Sequence, residues 1–415
     1  MKKLLLLAFA AMLILSGCGA AANHGVAGIV YRAQLKPQPV VALGEDFSRG
    51  VNDFGFNAVG RLYDTDENLA VSPVSIELAL AMTRAGAAGD TAEEMKNALG
   101  LGALSEEQII EAFRQMMWRA NTGGMEAANS IWLGDRYTYS EEFVNTCLKD
   151  FMADAYPLEI PGAKDAINGW VSEKTHKKID KLLEQEPDEQ TEMILCNALY
   201  YLGDWASPFE ADDTYDGDFN TSGGPVTASF MHSDWNIPYY ENDAFSMISL
   251  EFKSEEGGGK YAMALLLPAQ GTGIGDMLSA LDGDSFAAAL SGLADEQTLI
   301  KLPKFEYMYS ASLNEQLIEM GMPLAFDPEA ADFSGMTEEE NDLFISNVLH
   351  KCYIRVDELG AEAAAVTEVE MGVTSAAPIE QAMTFYADRP FLFAIYSQED
   401  GAIAFMGVVN DPTQE

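Results

Sequence analysis

The stretch that decides the fold runs from residue 350 to residue 375 and reads HKCYIRVDELGAEAAAVTEVEMGVTS. In its first part the even positions differ from the odd ones: His350, Cys352, Ile354 and Val356 alternate with Lys351, Tyr353, Arg355 and Asp357. Alternation with a period of two is typical of a β-strand that is buried on one face. We therefore predict a half-buried strand here, with its even face inward.

The pattern changes parity near Gly360. Every second residue from Leu359 to Val373 is small or apolar, and the charges fall between them: Glu358, Glu362, Glu368 and Glu370. A continuous strand cannot exchange its buried face without a bulge or a turn. We therefore predict a turn at about 358–360, after which the chain is able to run back antiparallel beside the first strand.

The segment that follows the predicted turn has a weak tendency to form a β-strand. Residues 360–365 read GAEAAA, and alanine and glycine both have weak β-propensity. The segment is therefore patterned for a strand but is also suited to a second state. Two simpler interpretations remain open from the pattern alone: an amphipathic edge strand and an alanine-rich helical turn.

The rest of the chain begins with helices and becomes rich in strands. Ser72-Pro73 predicts a helix start, and residues 91–94 (TAEE) and 105–108 (SEEQ) both match a capping box. Asp400-Gly401 predicts the turn of a hairpin. The predicted strands lie at 193–202, 245–252, 261–267, 391–396 and 402–409. Helices followed by antiparallel strands indicate an α+β fold.

The N-terminus has the features of an export signal. Two lysines precede an apolar run at 4–15 that is too short for a permanent membrane span. Leu15-Ser-Gly-Cys18 resembles a bacterial lipobox, in which Cys18 would be lipidated; an ordinary signal peptide with an incidental cysteine is the alternative. The predicted organisation is a lipoprotein signal peptide at 1–17, a lipidated flexible tether at 18–45 and a single domain at 46–415. The expected location is extracellular, anchored to the bacterial cell membrane.

The composition is strongly acidic. The formal net charge is −42, and removal of Lys2 and Lys3 with the signal peptide would make it −44. Such a surface repels nucleic acid, heparin-like polyanions and anionic lipid head groups. We therefore expect neither nucleic acid nor heparin as a partner.

Candidate catalytic and metal-binding patterns are lacking. The chain has no Gly-x-Ser-x-Gly or His-Glu-x-x-His motif, so we do not predict an enzyme. The histidines and cysteines lack the spacing of a metal site, and we expect neither metal nor cofactor. Three cysteines remain if Cys18 is lipidated, and we predict buried free thiols at Cys147, Cys196 and Cys352.

Residues 350–367 and four further motifs resemble those of the serpin family. Asn68–Ile76 is similar to its buried B helix, and Asn197–Phe209 to the strand that leads to its breach tryptophan. Arg389–Phe393 and Phe405–Pro412 are similar to its C-terminal strands. The motifs keep the order that they have in serpins over the whole predicted domain.

The resemblance implies a serpin-like fold with three β-sheets, about nine helices and an exposed reactive-centre loop at about 358–385. It also implies a suicide-type inhibitor of serine proteases, whose loop is attacked, forms an acyl-enzyme and inserts into the central sheet. The target serine protease would be a covalent partner, and the inhibitor is expected to be a monomer. The alternative is a non-inhibitory serpin that acts as a surface binding protein.

The same resemblance assigns the site residues. The hinge of the loop would comprise Glu358, Gly360, Ala361, Glu362, Ala363, Ala364, Ala365 and Thr367. The shutter beneath the sheet would comprise Ser72, Ser75, Asn197 and His350, and the breach would be at Trp205. Family spacing places the reactive bond at Thr374-Ser375 or a few residues later. These small side chains, and the lack of Arg or Lys between Arg355 and Arg389, favour an elastase-like or subtilisin-like protease.

Overall fold

The computed structural model describes residues 43–201, 203–254, 257–361 and 382–414. The α-helices in these ranges are α1 (Glu45–Leu62), α2 (Pro73–Arg84), α3 (Gly89–Ala98), α4 (Glu106–Ala120), α5 (Glu141–Lys149), α6 (Ala163–Lys174), α7 (Ile274–Leu278), α8 (Gly283–Ser291) and α9 (Asn314–Glu319). Short 3-10 helices lie at Ala211–Asp213 and Leu324–Phe326. Among these described helices, none has the length and apolar character needed to cross a membrane.

The strands of the first half of the fold are β1 (Leu69–Val71), β2 (Met125–Leu133), β3 (Ala153–Pro157), β4 (Met193–Tyr201), β5 (Gly203–Asp204), β6 (Thr214–Thr221), β7 (Gly224–Glu241) and β8 (Phe245–Glu251). Those of the second half are β9 (Tyr261–Pro268), β10 (Ala294–Pro303), β11 (Phe305–Ser312), β12 (Leu349–Val356), β13 (Gly360–Ala361), β14 (Met383–Tyr386), β15 (Phe391–Ser397) and β16 (Ile403–Val409).

Strand β7 is 18 residues long and takes part in two sheets. Its first part pairs with β6 and, together with β10 and β14, forms one sheet. Its last part pairs with β8 and begins a second sheet with the order β7-β8-β9-β15-β16-β1. The predicted hairpin β15–β16 is present, and Gly401 in its turn has a positive φ of 74°.

The third sheet consists of two halves. One half has the order β3-β2-β4, the other is β12-β11, and β4 and β12 are neighbours across the boundary. In the described residues no ladder of backbone hydrogen bonds joins β4 to β12. The fold is therefore α+β with three sheets and nine α-helices in the described ranges, which confirms the predicted fold class.

Helix α2 supports the third sheet from inside. Pro73 occupies its first position, and the Ser72 hydroxyl caps it by accepting the N–H of Ser75 at 3.1 Å. The helix is almost wholly buried and contacts both β4 and β16. It therefore lies between the second and third sheets, directly beneath the boundary between β4 and β12.

Two observations bear on the predicted boundaries. Leu43 is buried and its N–H donates to the Asp400 carboxylate at 2.8 Å, so the folded part includes residues before the predicted start at 46. The C-terminal boundary of the predicted reactive-centre loop also differs, because β14 begins at Met383, inside the range predicted for the loop.

Candidate functional site

The facing edges of β4 and β12 form a gap in the third sheet. The ladder between β2 and β4 runs from Met125 opposite Tyr201 to Leu133 opposite Met193, which leaves the other edge of β4 towards β12. A cavity of about 650 Å³ lies at the gap, and its walls include residues 193–198 of β4, residues 349–351 of β12 and Ser75, Ile76 and Ala79 of α2. Unpaired strand edges are templates for a further strand, so the gap can accept one.

A hydrogen-bonded cluster joins α2 to β12 beneath the gap. The N–H of Ser72 donates to Nε2 of His350 at 3.1 Å, and the Ser72 hydroxyl donates to the Ala404 carbonyl at 2.7 Å. Because Nε2 accepts this bond, the thiol of Cys352, 2.9 Å away, is the donor in its own contact with the ring. Burial lowers the pKa of His350 to about 4, so the imidazole is neutral at physiological pH.

Asn197 lies on the opposite wall of the same cavity and is not bonded to His350. Its Nδ2 donates to Oδ1 of Asn129 at 2.7 Å, and Nδ2 of Asn129 in turn donates to the Phe151 carbonyl at 2.7 Å. Its Oδ1 is buried and has no hydrogen-bond partner among the described residues. The structure therefore groups Ser72, Ser75 and His350, and places Asn197 across the gap from them.

Trp205 holds the chain at the end of β12. The indole is buried against Phe252, with 4.6 Å between the ring centroids, and its Nε1 donates to the Asp357 carbonyl at 2.9 Å. The Trp205 N–H donates to the Leu359 carbonyl at 2.8 Å. These bonds fix the turn predicted at 358–360, which the structure contains.

The partner of the returning chain differs from the prediction. Gly360 and Ala361 pair antiparallel with Asp204 and Gly203 of β5, which continues the line of β4, whereas the sequence pattern suggested β12 as partner. The approach is close: a Cβ on Gly360 would lie 2.0 Å from the Gly203 carbonyl oxygen. Ala361 is buried, as its inward position in the pattern predicts. The hinge therefore begins as a strand at the entrance of the gap.

Glu358 is tied to the residue that joins β10 to β11. Its carboxylate forms an ion pair with the Lys304 ammonium at 2.8 Å. Partial burial is the largest single influence and opposes ionisation of this carboxyl, but the hydrogen bond and charge of Lys304, together with hydrogen bonds from the backbone and from Thr214, outweigh it, and the pKa of Glu358 is lowered. Glu358 is therefore ionised at neutral pH and anchors the first residue of the hinge.

Comparison with known proteins agrees with this architecture. A family model described as "Serpin (serine protease inhibitor)" matches residues 49–412. The chain belongs to the serpin family. It is 33% identical over 371 residues to an uncharacterised serpin-like protein of Thermococcus kodakarensis, with 87% of this chain and 85% of the relative covered. It is 32% identical over 378 residues to intracellular coagulation inhibitor 2 of Tachypleus tridentatus, with 88% and 91% covered.

A solved structure gives the same result. The crystal structure of the thermophilic serpin tengpin in the native state superposes with a TM-score of 0.81 at 30% identity, covering 92% of this chain and 97% of that chain. Family membership and the inhibitor relative support protease inhibition as the general function of this serpin and target proteases as its partners. Members of this family are generally inhibitors of proteases and not catalysts.

A segment that follows α6 crosses the outer side of the gap in this serpin. We call residues 175–181 the crossing segment. On one side, Nε2 of His176 lies 3.0 Å from the Glu126 carboxylate of β2, and its ring packs against Tyr200 of β4. On the other side, the ammonium of Lys178 lies 5.2 Å from the ring centroid of Tyr353 on β12. The crossing segment therefore contacts both halves of the third sheet.

Several predicted site residues of this serpin lie outside the described residues. They are Cys18 and, in the loop, Glu362, Ala363, Ala364, Ala365, Thr367, Thr374 and Ser375. The three thiols predicted to be free and buried are so in the structure: Cys147, Cys196 and Cys352.

Sequence reasoning missed Lys304 and the crossing segment. Both act through contacts with residues far away in the chain, such as Lys304 with Glu358 and Lys178 with Tyr353. Nothing in the local pattern of either stretch marks it as part of the site. The contact of Cys352 with His350, by contrast, follows from their positions two residues apart on one strand face.

Proposed function

We propose that this serpin is a suicide-type inhibitor of an elastase-like or subtilisin-like serine protease. The protease serine attacks the carbonyl of Thr374 or a residue close to it, the peptide bond to the next residue breaks, and an ester joins the two proteins. The freed loop then enters the gap between β4 and β12 as a new strand. The observation that carries this proposal is the gap, with its two unpaired strand edges above a cavity of about 650 Å³.

The energy of insertion is large enough to drive trapping. Insertion of about a dozen residues, with roughly one ladder bond each at ~0.5–1.5 kcal/mol, gives on the order of ten kcal/mol. That is comparable with the stability of a whole domain. A charge on the inward face would offset several kcal/mol of this, and the odd positions from 361 to 373 carry none. The pattern therefore favours an inhibitor over a non-inhibitory surface binding protein.

The proposed setting is the outer side of a bacterial membrane. The lipobox-like stretch that ends at Cys18 would anchor a monomeric inhibitor through a lipid, and residues 19–42 would separate it from the membrane. Anchoring would place the inhibitor where extracellular proteases arrive.

The direct test is to mix the purified full chain with neutrophil elastase and, separately, with subtilisin, and to run a denaturing gel. Trapping gives a band at the summed mass of inhibitor and protease that survives boiling. Cleavage of the inhibitor without such a band would show that it is a substrate and would support the non-inhibitory alternative.

Two matched variants test the inward face. Ala361→Arg places a charge at a buried position and is expected to convert the inhibitor into a substrate. Glu362→Arg changes a neighbouring position that the pattern assigns to the outer face, and is expected to trap as the wild type does. If Ala361→Arg formed as much covalent complex per cleaved molecule as the wild type, insertion into the gap would not be the trapping step.

A further inference from the structure

A second surface of the protein has the properties of a binding site. Among the described residues, six large apolar side chains are well exposed, and two of them lie on one face of the sheet formed by β6, β7, β10 and β14. These are Tyr215, which is 57% exposed, and Tyr386, which is 41% exposed. Exposed aromatic side chains that share a face are typical of protein contact surfaces.

The register brings these side chains together across all four strands. Tyr215 of β6 stacks on His232 of β7, His232 lies opposite Lys301 of β10, and Lys301 lies opposite Tyr386 of β14. Directly opposed residues of neighbouring strands project from the same face. A cavity of about 560 Å³ opens on this face, and these four residues are part of its lining. We call it the tyrosine face.

The rings of Tyr215 and His232 are already packed together before anything binds. The rings of Tyr215 and His232 are 3.9 Å apart and 8° from parallel. Nδ1 of His232 lies 3.2 Å from the Asp213 carbonyl and 3.1 Å from the Phe230 carbonyl, so this nitrogen carries the proton. Nε2 is thereby left as an acceptor, and no described residue donates to it. Aromatic groups fixed in this way lose little conformational freedom on binding.

The charge around the tyrosine face selects a cationic partner. Two acidic residues of the cavity lining share the parity of this face: Asp213 comes two residues before Tyr215, and Asp234 two residues after His232. Neither carboxylate forms an ion pair with a described Lys or Arg, and that of Asp234 accepts a hydrogen bond from Gln297. The ammonium of Lys301 lies over the ring of Phe230, 4.0 Å from its centroid. Arginine and lysine side chains bind well to tyrosine faces next to carboxylates. The net charge of −42 adds a long-range attraction for a basic protein.

The position of the tyrosine face identifies the partner. Strand β14 begins at Met383, at the C-terminal end of the predicted reactive-centre loop, and contributes Tyr386 to the face. About a dozen residues separate Tyr386 from the predicted reactive bond, a reach of at most ~40 Å for an extended chain. A serine protease of about 240 residues has a radius of gyration of about 18 Å. A protease engaged on the loop therefore comes within contact distance of this face.

We propose that the tyrosine face is an accessory docking surface for the target protease, which contributes arginine or lysine side chains to it. This inference rests on the proposed function, because the loop brings the protease to this face. It assigns the face to the encounter before cleavage. Docking there raises the rate at which the loop is attacked and leaves the insertion step unchanged.

The test separates docking from trapping. Neutrophil elastase, a basic serine protease, is prepared with its catalytic serine replaced by alanine, and its equilibrium binding to the full-length inhibitor is measured. Tyr215→Ala combined with Tyr386→Ala is expected to weaken binding at least tenfold, and Asp234→Lys at least fivefold. The control, Met308→Ala, removes an apolar side chain of β11 that is as exposed as Tyr386 and should leave binding within twofold of the wild type.

Active elastase supplies the second readout. The double tyrosine variant should form covalent complex at least ten times more slowly, with the same number of inhibitor molecules consumed per trapped protease. Unchanged binding and association rate, or no binding of the inactivated protease to the wild type, would overturn the docking surface. Tyrosine-dependent binding without any covalent complex would instead refute the proposed trapping and leave the docking surface standing. Asp234→Lys guards against a folding defect, because Asp234 is an exposed residue of β7.

Discussion

Lowering the pH from 7 to 5 is expected to destabilise the native protein through one buried imidazole, that of His350. Burial lowers its pKa from an ordinary value of 6.5 to about 4. Between these two values the unfolded chain binds a proton that the native state excludes. The stability that comes from the neutral ring is therefore fully present above pH 6.5 and is lost as the pH falls towards 4.

The size of the effect follows from the shift. A difference of one pKa unit corresponds to 1.36 kcal/mol, so the full loss is about 3 kcal/mol, of which about 2 kcal/mol has occurred at pH 5. Many carboxylates titrate in the same range, and for this reason the comparison must be made with a variant that lacks only the imidazole. His350→Gln keeps an acceptor for the N–H of Ser72 and removes the titrating group.

The assay is the first urea unfolding transition of both proteins at pH 7, 6 and 5, followed by near-ultraviolet circular dichroism. The wild type should lose about 2 kcal/mol more than His350→Gln over this range. If the two proteins lose stability in parallel, the imidazole is not held neutral by burial, and the cluster at the start of α2 is not the acid-sensitive part of the fold.

Three further perturbations follow from the contacts. Glu77 in α2 is fully buried, neither carboxyl oxygen has a partner among the described residues, and burial raises its pKa well above 4.5. The native state therefore loses stability as the pH rises above 4.5, and Glu77→Met should unfold at higher urea than the wild type at pH 7; an equal midpoint would contradict this. Gly360→Ala places a Cβ against the Gly203 carbonyl and should lower the free energy of unfolding by about 1–3 kcal/mol, whereas an unchanged free energy would mean that the entrance can widen freely. Removal of the two contacts of the crossing segment, by His176→Ala with Lys178→Ala, should speed insertion, so that fewer inhibitor molecules are cleaved per trapped protease; a higher ratio would refute a restraining role.

Local patterns predicted the elements that depend on neighbours in the chain. The even face of β12, from His350 to Val356, is buried as its period of two indicates. The capping box at Ser105 and Gln108 is present at the start of α4. The capping box predicted at 91–94 is wrong, because α3 already begins at Gly89. The Thr91 hydroxyl accepts the N–H of Asp332 instead, a contact with a distant segment that no local pattern shows.

The pairing of strands that are far apart in the chain could not be predicted from the sequence. The reversal of parity at Gly360 predicted the turn correctly, because a strand face is a local property. It could not decide whether the returning chain would pair with β12 or with β5, since both are available at the same place. The choice depends on Trp205, whose N–H and indole hold the carbonyls of Leu359 and Asp357 on the β5 side.

The small residues of the hinge suit the close packing at the entrance of the gap between β4 and β12. Gly360 passes so close to Gly203 that a single added Cβ would reach the carbonyl oxygen, and Ala361 directly after it is already buried. Alanine needs little room on a face that is buried from its first residue, and it has no rotamer entropy to lose. Its weak β-propensity also keeps the segment from settling as a strand in water. Small side chains are therefore needed for both states of the loop, and a sequence with strong strand formers at the odd positions would be expected to enter the gap more slowly.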